Sequence, residues 1–125
     1  MAVVLDTGAL IAFERGDRQV AALLEAARRR QDPARTSSGC VAQAWREGAA
    51  QSPLAWLLAG VEELALGQST SRAVGVLCGQ AGHPDVVDAH VATLASDGDL
   101  VLTSDRRDLI RLLHQRAVRA AVVGC

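Results

Sequence analysis

The stretch from Val3 to Gly16, VVLDTGALIAFERG, constrains the fold more than any other part of the chain. An apolar run, Val3 to Leu5, meets an acid at Asp6 and passes through Thr7 and Gly8. A helix-like pattern with Leu10, Ile11 and Phe13 follows. A buried strand that stops on a carboxylate and turns directly into a helix is the signature of an α/β unit. In open parallel sheets, ligands bind outside the carboxyl ends of the strands. Asp6 is therefore a candidate site residue, and equally a helix N-cap, a role aspartate commonly fills.

The pattern repeats along the chain. Asp17 opens a second helix that runs to about Arg30. Asp32-Pro33 breaks it, and Ala34–Ser37 reads as a short strand. Ser37 or Ser38 caps a helix from about Gly39 to Glu47, and Leu54–Ala59 forms another. Val61–Leu66 reads as a strand between glycines, and Ser69 or Thr70 caps a helix from Ser71 to about Gln80. Asp85 to about Ser96 is the clearest amphipathic helix, with Val87, Val91, Leu94 and Ala95 on its buried side. Leu100–Leu102 is a strand that ends at Thr103-Ser104-Asp105. A last helix spans Arg107 to about Gln115, and Val118–Val123 is the final strand. Strands alternating with helices predict an α/β fold with a parallel or mostly parallel sheet.

Composition removes several classes of function. The 125 residues suit one domain with a real core, and half are hydrophobic, which argues against disorder. All 13 basic residues are arginines. Without lysine there is no phosphate-binding loop ending in Gly-Lys, no Schiff-base chemistry and no phosphoacceptor receiver site. The first strand reads LDTGA, not the DxDxT of haloacid-type phosphatases. A net charge of -1 argues against a generally basic nucleic-acid binder, and one Phe without any Tyr leaves no aromatic platform for stacked bases. Cys40, Cys78 and Cys125 lack metal or disulfide spacing, as expected of reduced thiols. Leu54–Leu66, interrupted by Gly60, Glu62 and Glu63, is too short and too charged to cross a bilayer. No signal peptide is visible, so the expectation is a cytoplasmic protein without a membrane partner.

Asp6 and Asp105 each follow a buried strand, and Asp85 and Asp88 stand i, i+3 in the first turn of a helix. If the two strands are neighbours, Asp6 and Asp105 lie side by side, and a helix start beside them adds Asp88. Carboxylates gathered in this way repel one another unless cations hold them, and hard oxygen donors select Mg²⁺ or Mn²⁺. Each acid alone also has a reading as a cap or a surface residue.

The ordered blocks LDTGALIAFERG, DVVDAHVATLA and VLTSDRRDL resemble those of PIN-domain nucleases, most closely the VapC-type ribonuclease toxins of bacterial toxin–antitoxin pairs. The resemblance spans essentially the whole chain, 1–125, as a single PIN-like domain. It implies a five-stranded parallel sheet in order 3-2-1-4-5 between helices, in three layers. It also implies Mg²⁺- or Mn²⁺-dependent hydrolysis of RNA, a cognate VapB-type antitoxin and a homodimer. Asp6, Asp88 and Asp105 match the family's acids as catalytic metal ligands, and Thr7 and Ser104 match polar neighbours that support them.

One position departs from the pattern. The family's second acid, usually a glutamate, falls in SSGCVAQAWREG, where this chain has Gln43. Glutamine offers a carbonyl oxygen without charge, so a second metal position is expected to be weakened most. Glu47 lies one turn onward and is expected to point past the site, whereas Asp85 and Asp108 are the better auxiliary acids. Arg106, Arg107 and Arg111 are candidate guides for an RNA backbone or an ordinary exposed face, and Arg28–Arg30 a solvated tail or an anion contact. His83, His90 and His114 are expected in core or surface roles. The alternative function is a PIN-like domain, impaired at Gln43, that binds RNA or antitoxin without cleaving.

Overall fold

A computed structural model describes residues 1–125. The chain runs β1 (Val3–Leu5), α1 (Thr7–Glu14), α2 (Arg18–Arg29), β2 (Ala34–Ser37) and α3 (Ser38–Ala44). A 3₁₀ turn (Ala49–Gln51) leads into α4 (Ser52–Ala59) and β3 (Glu62–Leu64). Then come α5 (Gln68–Ala81), α6 (Val86–Thr93), β4 (Leu100–Thr103), α7 (Arg106–Gln115) and β5 (Ala121–Gly124). All strand pairs are parallel, in the order β3-β2-β1-β4-β5.

The central strands carry the core. Val3, Val4 and Leu5 of β1 and Val101 and Leu102 of β4 are fully buried, as expected of parallel strands covered on both faces. The edge strand β3 instead presents Glu62 and Glu63 to solvent, with Arg35 paired to Glu62 at 3.2 Å. Short, charged edges resist pairing with other chains. Helices α2, α3 and α4 pack on α1, whereas α5, α6 and α7 pack on one another. Because strand order reverses on either side of β1, right-handed crossovers send these two groups to opposite faces. The carboxyl ends of β1 and β4 meet at the topological switch point, the place where open parallel sheets bind ligands.

Several helix ends differ from the sequence expectation, each for a visible reason. α3 stops at Ala44, not Glu47, because Gln51 takes over its end. The Gln51 amide donates to the Ala44 carbonyl at 2.9 Å, and its Oε1 accepts from the Arg46 backbone at 2.7 Å. α5 begins at Gln68 with Gly67 as its N-cap, and Thr70 is its third residue. The Thr70 hydroxyl reaches back to accept from the Gly67 N–H at 3.1 Å, half of a capping box. α6 ends at Thr93 because the buried Asp99 carboxylate draws in the Ser96 N–H at 2.8 Å while also accepting from Ala2 at 2.7 Å. It is not amphipathic in the expected sense: Ala89, His90, Val91 and Ala92 are buried in succession, so the helix is sunk between its neighbours.

His90 is a core residue. Its Nδ1 shares a 2.7 Å hydrogen bond with Ser37 Oγ, its Nε2 has no partner, and burial pushes its pKa down, so it sits there neutral. Arg28 and Arg29 both pair with Glu25, and Arg30 pairs with Asp32, which favours the solvated-tail reading. No helix is long and apolar enough to cross a membrane. Trp45 packs against the core, but Trp56 does not: its side chain is 68% exposed and stacks on Phe13 with ring centroids 6.1 Å apart. Together with Leu24, Leu57, Pro33 and Val61, these rings line a groove of about 710 Å³ between α1, α2 and α4.

Candidate active site

Asp6 is the residue immediately after β1, and only 4% of it is exposed. Its Oδ1 accepts from the Ala9 N–H at 2.9 Å, capping α1. Its Oδ2 accepts from the Thr103 hydroxyl at 2.5 Å and from the Ser104 N–H at 3.3 Å. The cap reading of Asp6 therefore holds through one oxygen, while the other faces the end of β4. Burial raises its pKa despite these three donors, and the nearby charge of Asp105 adds to the rise.

Register explains the approach of β4. Leu5 is aligned with Leu102, so Thr103 and Ser104 leave the sheet beside Asp6. Thr103 Oγ1 donates to Asp6 and accepts from the Asp105 N–H at 2.8 Å, tying the two acids through one hydroxyl. Asp105 stands at the N-cap position of α7 yet makes no capping hydrogen bond, and it is exposed. Its pKa is raised, first by hydrogen-bonding proximity to the Asp108 carboxyl, then by desolvation and the Asp108 charge.

Asp88 lies in the first turn of α6. Desolvation raises its pKa, and the charges of Asp85 and Asp105 act in the same direction. Asp105 thus acts electrostatically on both Asp6 and Asp88, whereas the ligand atoms that meet within 4.8 Å of one another are those of His83, Asp88 and Asp108. Asp85 differs: its Oδ1 accepts from the N–H groups of Val87 and Asp88 at 2.9 and 3.1 Å, so it serves as the cap of α6. Glu47 lies beyond α3 in a left-handed backbone conformation and is exposed.

On the α3 side, the exposed Gln43 uses its Oε1 to accept the Thr7 hydroxyl at 2.5 Å. Ser104 contributes its backbone N–H to Asp6, and its side chain lies against Gly8. A Cβ at Gly8 would come within 2.0 Å of Ser104 Oγ, so the turn from β1 to α1 requires glycine for close approach.

Two neighbours of the acids were not singled out in the sequence. Thr103 reads there as the end of a strand, although its place one residue past the apolar run was a usable signal. His83, expected in a core or surface role, stands among the acids. Its Nε2 is 3.0 Å from Asp88 Oδ2 and its Nδ1 is 4.0 Å from Asp108 Oδ2. Nothing in its spacing from Asp88 or Asp108 announces that meeting, because it depends on how α5 ends against α7.

The arginines near the site are mostly occupied. Arg106 Nε donates to the Val122 carbonyl, Arg111 to Ala81, and Arg46 to Ala42 and Trp45. Arg107 is exposed. No arginine forms an ion pair with Asp6, Asp88, Asp105 or Asp108; His83 supplies the only such contacts. Oxygen donors with one imidazole among them and no arginine to neutralise them suit a divalent cation.

Among solved structures, the fold matches a chain of VapBC2 from Rickettsia felis, crystallised bound to a DNA fragment from their promoter. The TM-score is 0.69 at 15% sequence identity, covering 98% of this chain and 99% of that chain. No family model matches, and no curated protein matches by sequence. At that identity the likeness is one of fold. The chain has the PIN-like fold, with its five-stranded parallel sheet in order 3-2-1-4-5, that the resemblance of its sequence blocks implies.

Proposed function

We propose that the chain is a metal-dependent endoribonuclease of the VapC type, the toxin of a toxin–antitoxin pair. What supports this reading is the placement of Asp6 and Asp105 just past the neighbouring strands β1 and β4, with Asp88 in the first turn of α6 and no arginine paired to any of the three. These three residues would hold Mg²⁺ or Mn²⁺. When bound, the metal supplies a water of lowered pKa and stabilises charge on the leaving 3′ oxygen.

The chain's own contribution is preorganisation. Thr103 and Ser104 fix the Asp6 carboxylate, Ala9 holds its other oxygen, and Asp85 fixes the start of the helix that carries Asp88. With a cation bound, the carboxylates would act mainly as ligands, and one of them would accept the proton of the attacking water. Arg107 is free to meet a phosphate of the substrate backbone. The groove beside Trp56 and Phe13 suits the apolar face of an antitoxin helix, with Trp56 as its anchor. The fold match to a chain of VapBC2 accords with this reading. A cytoplasmic location and a homodimer accompany this reading, the dimer being open to light scattering on the free chain.

The test is cleavage of a panel of RNAs by the purified chain with Mg²⁺ or Mn²⁺, beside Asp88→Asn. Cleavage that needs the metal and disappears in the variant is the expected result. If no RNA is cut under any metal while RNA or antitoxin still binds, the impaired binding module marked by Gln43 is the better reading.

A further inference from the structure

We infer that His83 is a nitrogen ligand of the metal centre, joined by Asp108, so that the ligand set is extended on the α6–α7 side rather than on the side of Gln43. The inference rests on the metal-dependent reading above and concerns which atoms hold the ion.

Three observations carry it. First, the α3 side offers only an uncharged amide oxygen, that of Gln43, which already accepts the Thr7 hydroxyl. Second, His83, Asp88 and Asp108 each offer one ligand atom, and these atoms all lie within 4.8 Å of one another. Donors each about 2.1 Å from one ion stand up to about 4.2 Å apart, so closing the widest pair by roughly half an ångström brings all three to one cation. Third, His83 is built in. Only 11% of its side chain is exposed, although it belongs to a connection between helices.

That connection is pinned at both ends. Gly82 ends α5 in the left-handed conformation at φ 63°, and the His83 N–H closes onto the Cys78 carbonyl at 3.1 Å. Asp85 caps α6 two residues later. Arg111 on α7 donates to the Ala81 carbonyl at 2.6 Å, fastening the end of α5 to the helix that carries Asp108 one turn earlier. The imidazole is thereby held between two carboxylates on two helices. Its Nε2 stands 3.0 Å from Asp88 Oδ2. At that separation the ring nitrogen and the carboxylate oxygen can share one cation, with the neutral imidazole as ligand.

A nitrogen donor changes which metal is preferred. Carboxylates alone suit Mg²⁺ and Mn²⁺, whereas imidazole favours the transition metals. The wild-type chain should therefore hold Mn²⁺ more tightly than Mg²⁺, and loss of His83 should narrow the difference.

Pulsed electron paramagnetic resonance of Mn²⁺ added to the full chain reads the ligand directly. The expected spectrum shows nitrogen modulation from a directly bound imidazole, which changes when histidine is supplied with ¹⁵N. The signal persists in His114→Gln, disappears in His83→Gln, and Mn²⁺ affinity falls in the latter by roughly tenfold. The isotope arm needs no variant, so a poorly folded His83→Gln does not decide the matter. Mn²⁺ that binds, is lost in Asp88→Asn and shows no nitrogen coupling overturns the role of His83 and leaves the proposed function standing. Absence of any Mn²⁺ binding overturns both.

Discussion

The Thr103 hydroxyl has two partners: it donates to Asp6 and accepts from the backbone of Asp105. One side chain thus sets the separation of two acids that arrive from different strands. Gly8 acts from the opposite side, letting Ser104 lie against the first turn of α1. Gly8→Ala forces Ser104 aside, with its backbone N only 3.1 Å from the new Cβ. This substitution should cost about 1–3 kcal/mol of stability, read by urea unfolding, and should lower activity through the displaced Ser104 N–H. Gln43→Glu keeps the Thr7 hydrogen bond, because a carboxylate accepts it equally well, and adds the charge absent on the α3 side. This variant should bind one more Mn²⁺ per chain than the wild type in calorimetric titration. An unchanged stoichiometry would show that Gln43 does not face the metal centre. The placement of Asp6, Asp88 and Asp105 at strand ends and a helix start was legible in the sequence, because apolar runs and polar breaks mark those points. Thr103 and His83 were not, because their roles come from register and from the packing of α5 on α7.

At the scale of elements, helix starts do most of the positioning. Asp17 caps α2, Asp85 caps α6, Ser37 caps α3, and Asp6 caps α1 while also joining the site. Asp85→Ala removes the acceptor for two N–H groups at the start of α6, one of them that of Asp88 itself. A loss of about 1 kcal/mol in stability is expected. Metal affinity should weaken with it, since the turn that carries Asp88 frays. A variant that loses stability but keeps full Mn²⁺ affinity would separate the cap from the site. The order of strands and helices was legible because apolar runs and polar breaks alternate cleanly along the chain. Helix ends were less so: the end of α3 is decided by Gln51 and the end of α6 by Asp99, each acting across a turn. Periodicity also misread α6, whose four consecutive buried residues reflect neighbours on more than one side.

At the scale of the whole molecule, the acids at the switch point bear on how the fold responds to pH. Asp6, Asp88 and Asp105 all have pKa values raised above the ordinary 3.8. A raised acid binds its proton more readily in the folded than in the unfolded chain. It therefore favours the fold below pH 3.8 and loses that contribution as the pH climbs through the raised value. Metal-free Asp88→Asn should accordingly melt higher than the wild type near neutral pH, with the gap closing as the pH falls below 3.8. Saturating Mn²⁺ should reverse the order, because only the wild type gains from binding. A gap independent of pH and metal would mean that Asp88 is a structural residue. The measurement that reaches the central claim most directly is the chemistry of the RNA ends left by the chain with Mn²⁺, read by mass spectrometry. Attack by a metal-activated water with departure of the 3′ oxygen predicts 5′-phosphate and 3′-hydroxyl ends that vanish in Asp88→Asn. Fragments ending in 2′,3′-cyclic phosphate, or cleavage that survives both chelation and the variant, would contradict it.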